Sequence, residues 1–549
     1  MAHVFKGLVL LLALITLSQK AFSAPQTMGS PNAKFGGQFK YNLGERPTTL
    51  NPLSSTDYYA SVVQGYVLET LFDRDIDTYE WRPNLASSYT VSKDGLSFEF
   101  TLRDGVKWHD GKPLTVADVK FSFDAIMHPK NKYKTAHMKP YFESIKEAVV
   151  TGPNKIQFVA KQKYFKNFES IATMTIVPKH IYENPTKAQE KQLNKTLIGT
   201  GPYKFVKMEK EKGITLDANK DWWARKDPTR AGENNYASFL MRFVKDTTIE
   251  VQRLEKGDLD FISLTAEQYE QKTKGPNWGK SVSKVKTKNI SPKGYGFIGW
   301  NLADEKFKSV NVRKALYHLI NRDLMIEKFR FGYSVPATGP WYVQSEYADQ
   351  SVKAIKYDPK LALELLRAEG WKDTDGDKIL DKEINGKKVP FSFTILEPSQ
   401  EFVKYLTIFK EDAKQAGIDV NVKVVEWNTF IKLMDEKKFE ALRLGWSAGS
   451  VDNDPKQIWH SASSGEGGSN FINYNNPVVD KLIDEARETM EKPARIKVLK
   501  KVYKMIAEDY PYAFLFNDDT LFYAHTKHMK RAKDTYNYGV GITYWWIEE

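Results

Sequence analysis

The 549-residue chain contains no cysteine. That absence removes disulfide frameworks, thiolate metal sites and the thiol that a lipid anchor near the amino end would need. Histidine is scarce as well, at nine residues, and no two stand four residues apart as in a helical metal-ligand pair. No segment reaches the ~20 consecutive apolar residues that span a bilayer. Gly-x-Ser-x-Gly elbows, phosphate-cradling loops and dinucleotide fingerprints are missing too, so no motif proposes a nucleophile, a nucleotide or a cofactor. There is no solenoid repeat. The expectation is a non-enzyme that carries neither metal nor cofactor.

What is present begins with the amino end. His3 and Lys6 precede an apolar run from Leu8 to Leu17, followed by Ala21-Phe22-Ser23-Ala24-Pro25. A basic start, a short apolar core and small residues at Ala21 and Ser23 describe a secretory signal over 1–23, cleaved after Ser23. Cleavage after Ala24 would set Pro25 at the first mature position and Phe22 in a slot that takes small side chains. The mature chain of ~520 residues is long enough for two or three domains. With 41% hydrophobic and 13% aromatic residues it can bury a substantial core. The formal charge of +12 would fit a polyanion, but basic and acidic residues alternate, as in Lys207-Met208-Glu209-Lys210-Glu211-Lys212. That mixing reads as a solvated face, and no nucleic-acid partner is expected.

Around residues 90–111 apolar and polar residues alternate, with Leu96, Phe98, Phe100 and Leu102 on one side and Ser97, Glu99 and Thr101 on the other. A period of two marks half-buried strands, and Asp-Gly pairs at 94–95, 104–105 and 110–111 supply tight turns, so this region is antiparallel. Elsewhere the period lengthens. Thr247 and Glu250 read as a capping box, Gly257 closes that helix, and a strand covers 259–262. A strand over 391–396, a helix over about 399–416 stopped by Gly417, a strand over 418–424, a helix over 428–438 and a strand over 440–446 repeat the alternation. Further helices are read around Val312 to Ile320 and after Asn476-Pro477. Strands alternating with helices give an α/β protein.

Asp373, Asp375, Asp377 and Asp381 occupy alternate positions like those of a calcium loop, but Lys378 stands where glycine belongs and Ile384 where the closing glutamate belongs. They read as an acidic turn before a hairpin. His109 reads as part of the Trp108-His109-Asp110-Gly111 turn.

Several ordered segments then resemble the family 5 extracellular solute-binding proteins, which include the oligopeptide, dipeptide and nickel receptors. They are Gly36-Gly37-Gln38-Phe39, Pro47-Thr48-Thr49-Leu50-Asn51-Pro52, Trp81-Arg82-Pro83-Asn84-Leu85-Ala86, Arg103 to Gly111, Thr115 to Val119, Gly199-Thr200-Gly201-Pro202-Tyr203, Trp300-Asn301, Val312 to Leu316 and Gly445-Trp446. The resemblance implies a two-lobed, hinge-closing type II periplasmic binding protein with an antiparallel-rich domain inserted in the first lobe. It assigns 24–75, 199–295 and 511–549 to lobe I, 76–198 to the inserted domain and 296–510 to lobe III. It also implies a periplasmic monomer without lipid anchor, which captures peptides between its lobes and delivers them to the permease subunits of an ABC importer. The same fold binding a nickel chelate, haem or oligosaccharide is the alternative.

The resemblance also suggests ligand-binding residues. Peptide-binding relatives follow the Gly-Trp pair with an aspartate that holds the ligand's amino end. Gly449 stands there in this sequence, and Asp452 or Asp454 would take the role from a longer loop; the same residues also read as a turn capping the next segment. Arg443 matches an arginine that meets the peptide carboxylate in some relatives, with a salt bridge as the competing account. Trp446 would cover the ligand backbone at a strand's carboxyl end, where α/β clefts open. Thr56 and Tyr58 fall where relatives run an extended segment beside the peptide.

Overall fold

The computed structural model describes residues 28–55, 58–135, 138–447, 450–465 and 468–548. The signal segment lies outside the described residues, and among those described no helix is long and apolar enough to cross a membrane.

Two mixed sheets form the body. The first has seven strands in the order Val282–Thr287, Leu521–Thr526, Phe261–Ser263, Gln38–Asn42, Ser238–Arg242, Gly213–Ala218 and Tyr203–Glu209. Gln38–Asn42 runs parallel to both of its neighbours, and the outer pairs are antiparallel. The second has six strands in the order Ser334–Pro336, Tyr512–Asp518, Tyr295–Trp300, Ala441–Trp446, Ser392–Glu397 and Asp419–Val424. The strand–helix–strand units read between 391 and 446 make its parallel half. Its core is aromatic: Trp300 is fully buried, and Phe297 stacks on Tyr512 with ring centroids 3.7 Å apart.

The alternating segment at 97–102 alternates in burial as its sequence demands, with Phe98, Phe100 and Leu102 inside. It joins Ala86–Val91, Lys155–Ala160 and Ile145–Gly152 in a separate four-stranded antiparallel sheet. Helix Val116–Met127 packs against that sheet, and at its start the Asp118 carboxylate accepts from the Thr115 backbone N–H at 2.9 Å.

The Gly199-Thr200-Gly201 segment ties this sheet to the first. His109 Nδ1 accepts from the Gly199 N–H, and its Nε2–H donates to the Gly201 carbonyl at 3.0 Å. Burial pushes the His109 imidazole down to about 4, so the neutral ring that this pair of bonds requires is maintained. A Cβ on Gly199 would lie 1.8 Å from the Val67 carbonyl oxygen, which is why the close approach needs glycine.

Three local readings shift. The helix Thr247–Glu255 is capped by Asp246, whose carboxylate accepts from the N–H groups of Thr248 and Ile249, so the cap sits one residue before the expected box. The helix expected from 399 begins with a 3-10 turn at Gln400–Phe402 and becomes α-helical over Val403–Gln415. Residues 511–518, grouped by sequence with the first lobe, supply an inner strand of the second sheet, because Tyr512–Asp518 pairs with both Tyr295–Trp300 and Ser334–Pro336.

The chain passes between the two large sheets twice, through 288–294 and through 519–520. A Lys288–Asp519 ion pair at 2.7 Å braces one crossing against the other.

Candidate ligand-binding cleft

Strand Ala441–Trp446 lies inside the second sheet, and at its carboxyl end Trp446 pairs with Tyr295, the first residue after the 288–294 crossing from the first sheet. Trp446, at that end, is half-buried and stacks between Phe297 and Phe471 with interplanar angles of 18° and 15°. The stack fixes the indole as a flat wall.

Arg443, three residues earlier, is oriented otherwise. Its guanidinium forms a two-point ion pair with Glu397 on the neighbouring strand, and its planar face lies 3.7 Å from the centre of the Phe402 ring. Glu397 is fully buried and Arg443 nearly so. The Nε–Nη2 edge that could fork a ligand carboxylate is thus spent within the sheet, which favours the salt-bridge account of this residue.

The loop that follows Trp446 turns toward the first sheet and the small antiparallel domain. Asp452 accepts from the Tyr347 hydroxyl and faces three cations, Arg74 at 3.9 Å, Lys492 at 3.8 Å and Arg495 at 3.9 Å. Asp454 accepts from the Tyr164 hydroxyl at 2.8 Å and faces Arg487 at 3.5 Å, while its other oxygen caps the next turn at the Lys456 N–H. Burial and the adjacent carboxylates raise the pKa values of Tyr164 and Tyr347, so both hydroxyls stay protonated as donors. An amino-end anchor would offer an uncompensated carboxylate, whereas both of these are compensated by the protein's own cations. Gly449 and Thr56 lie outside the described residues. Tyr58, expected in an extended segment, instead opens helix Tyr58–Val67 and is 71% exposed.

A cavity of about 530 Å³ opens beside this loop, lined by Gln64, Glu69, Arg74, Tyr79, Trp222 and Tyr538 among others. Its volume is that of a small-molecule or short-peptide site. Its floor is a closed charge quartet: Arg82 pairs with Asp73 and Glu233 at 3.1 and 2.8 Å, and Arg230 pairs with Asp73 at 2.7 Å. Glu69 is buried, accepts from the indole N–H groups of Trp222 and Trp223, and has its carboxyl pKa raised by burial. Arg74 and Tyr79 belong both to the cavity wall and to the contact with the second unit: the Tyr79 hydroxyl lies 3.5 Å from the Val451 N–H.

Sequence reading missed Arg74, Tyr79, Tyr164, Phe165 and Arg495, which surround the loop. Arg74 ends the short strand Phe72–Arg74, Tyr79, Tyr164 and Phe165 stand in connections, and Arg495 lies on a helix whose apolar period points to packing and not to a site, so proximity across the fold alone brings them together. In the acidic turn the carboxylates of Asp373, Asp375 and Asp377 come within 4.8 Å of one another. The Asp373 carboxylate accepts from the N–H groups of Gly376 and Lys378, and Asp375 pairs with Lys388.

The comparisons with known proteins settle the relationship. Residues 80–469 match the family described as bacterial extracellular solute-binding proteins, family 5 Middle. The chain belongs to that family. Among its relatives is the oligopeptide-binding protein AppA of Bacillus subtilis, 29% identical over 544 residues that cover 96% of this chain and 94% of AppA. The solved structure of AppA in complex with a nonapeptide superposes with a TM-score of 0.75 at 28% identity, covering 94% of this chain and all of that one. The peptide-bound DppA of Helicobacter pylori has the same fold, with a TM-score of 0.75 at 23% identity, 94% of this chain and 99% of that one. NikZ of Campylobacter jejuni, solved with Ni(L-His), superposes with a TM-score of 0.74 at 25% identity, 92% of this chain and 99% of that one. These structures make the fold that of a type II periplasmic binding protein, and the family is one of binders.

Proposed function

We propose that this chain is the substrate-capturing component of an ABC importer, which takes up peptides between its two large sheets and delivers them to the membrane permease. The observation that carries this reading is the near full-length match to an oligopeptide-binding protein whose nonapeptide complex superposes on this fold. The cleft supports it: a flat indole wall at Trp446, an exposed Tyr58 and an adjoining cavity suit a main-chain ligand that varies in its side chains. Thr56, Tyr58 and Trp446 are the residues we assign to the ligand. Asp452, Asp454 and Arg443 would act beside it.

In this reading lobe I comprises about 24–75, 199–294 and 519–549, the inserted domain 76–198, and the second lobe 295–518. The boundary near 518 follows the strand pairing of Tyr512–Asp518. The chain is exported through residues 1–23, acts as a periplasmic monomer and carries no lipid anchor.

Native mass spectrometry of the secreted protein tests both halves of the proposal. The expected result is a polypeptide beginning at Ala24 that carries a mixture of co-purified peptides. A single bound sugar, haem or metal chelate overturns the peptide assignment.

A further inference from the structure

The contacts around Asp452 and Asp454 join parts of the chain that no short covalent path connects. Tyr164 and Phe165 lie between strand Lys155–Ala160 of the small antiparallel domain and helix Asn167–Ala172. Arg487 and Arg495 belong to helices Pro477–Glu488 and Lys492–Asp509, which pack against each other beside the second sheet. Across that boundary the Arg487 guanidinium lies 4.5 Å from the centre of the Tyr164 ring, and the Arg495 guanidinium 4.2 Å from that of Phe165. The Phe165 N–H donates to the Arg487 carbonyl at 3.0 Å, and Tyr164 donates to Asp454. Nearby, Ser450 donates to Glu169 at 3.1 Å, and Arg74 lies within 3.9 Å of both Glu169 and Asp452.

These are two arginine–aromatic stacks, a neutral-to-charged hydrogen bond and a cation-ringed carboxylate, largely removed from water: the Arg495 side chain is 6% exposed and that of Asp452 14%. Cation–π contacts and hydrogen bonds to charged groups strengthen as they are desolvated. Asp452 keeps Lys492 and Arg495 within the second unit, but the two stacks, the Phe165–Arg487 main-chain bond, the Tyr164–Asp454 bond, the Ser450–Glu169 bond and the Arg74–Asp452 pair require the two units to be together, since among the described residues the chain crosses between the large sheets only at 288–294 and 519–520. Because they exist only in the approached arrangement, they lower the free energy of that arrangement alone, and a ligand held between the units gains the difference.

We propose that Tyr164 and Phe165 of the inserted domain, with Arg487, Arg495, Asp452 and Asp454 of the second lobe, form a clasp that holds the closed state, so that these residues set affinity without touching the ligand. The loop that carries an amino-end anchor in peptide-binding relatives is used here to bind the inserted domain. This inference rests on the closing-receptor reading above, but its test does not need the ligand to be a peptide.

The cysteine-free chain allows spin labels to be placed on Lys146→Cys in the inserted domain and Lys432→Cys in the second lobe, both exposed. Pulsed electron resonance then compares the interlabel distances of the parent with those of the Phe165→Ala variant and the milder Tyr164→Phe variant, without ligand. The clasp predicts a shift of population to longer distances in both variants. Calorimetry with a tetrapeptide and a nonapeptide of unrelated sequence should show affinity falling by the same factor for each, about tenfold for Phe165→Ala. Unchanged distance distributions overturn the clasp, and so do losses that differ between the peptides, which would mean direct contact with ligand. If the parent binds neither peptide, the peptide assignment falls while the distance comparison still decides the clasp.

Discussion

Arg443 and Glu397 close on each other from neighbouring parallel strands of the second sheet, with the Nε–Nη2 edge of the guanidinium matched to both carboxylate oxygens and the carboxylate shut off from water. Removing one partner strands a charge in the interior, which costs ~3–5 kcal/mol, whereas replacing both with apolar residues of similar size is near neutral. Arg443→Met should therefore lower the urea midpoint strongly, and adding Glu397→Leu should recover most of it. Peptide affinity of the folded protein should stay unchanged in both, as measured by calorimetry.

Asp452 separates an anchor from a clasp. With three cations and a tyrosine already on its carboxylate, Asp452→Asn should weaken binding of a peptide and of its amino-acetylated form equally, by about 1 kcal/mol for a partly exposed ion-pair network. Loss confined to the free-amine peptide would return Asp452 to the anchor role.

His525 gives a pH signature. Burial, and the Arg531 guanidinium donating to its Nε2, push the imidazole down to about 4, while its Nδ1–H donates to the Thr526 carbonyl. Folding favours the neutral ring, so its contribution is complete above the unfolded value of ~6.5 and is lost as pH falls toward 4, by about 3 kcal/mol in total. The melting temperature of the parent should drop more steeply between pH 6.5 and 4 than that of His525→Gln.

Gly199→Ala should destabilise the protein by about 3 kcal/mol, because its Cβ collides with a backbone carbonyl that cannot retreat without moving helix Tyr58–Val67. Chemical denaturation reads this directly. A loss below about 1 kcal/mol would mean that the helix end yields.

Periodicity and turn chemistry made much of the architecture legible. The Asp-Gly turns and the alternation at 96–102 announced the antiparallel sheet, and the apolar runs at 391–396 and 418–424 announced its parallel counterpart. Placing 511–518 failed because an apolar run declares itself a strand without naming its neighbours; the pairing of Tyr512–Asp518 with Tyr295–Trp300 is set by contacts more than two hundred residues apart in sequence. The site shows the same divide. Trp446 could be placed from its strand end, but nothing local in Arg443 reveals the buried carboxylate of Glu397. Likewise nothing near Asp452 announces Arg74, hundreds of residues upstream.

The position of Leu521–Thr526 in the first sheet bears on how the protein is made. That strand is not at the edge: it lies between Val282–Thr287 and Phe261–Ser263 and bonds to both. The second sheet is complete within one continuous stretch, 295–518, whereas the first waits for nearly the last residues to emerge. Synthesis therefore leaves the amino-terminal lobe with a vacant slot until the carboxyl end arrives, and the half of the molecule that is made first is the half that finishes folding last.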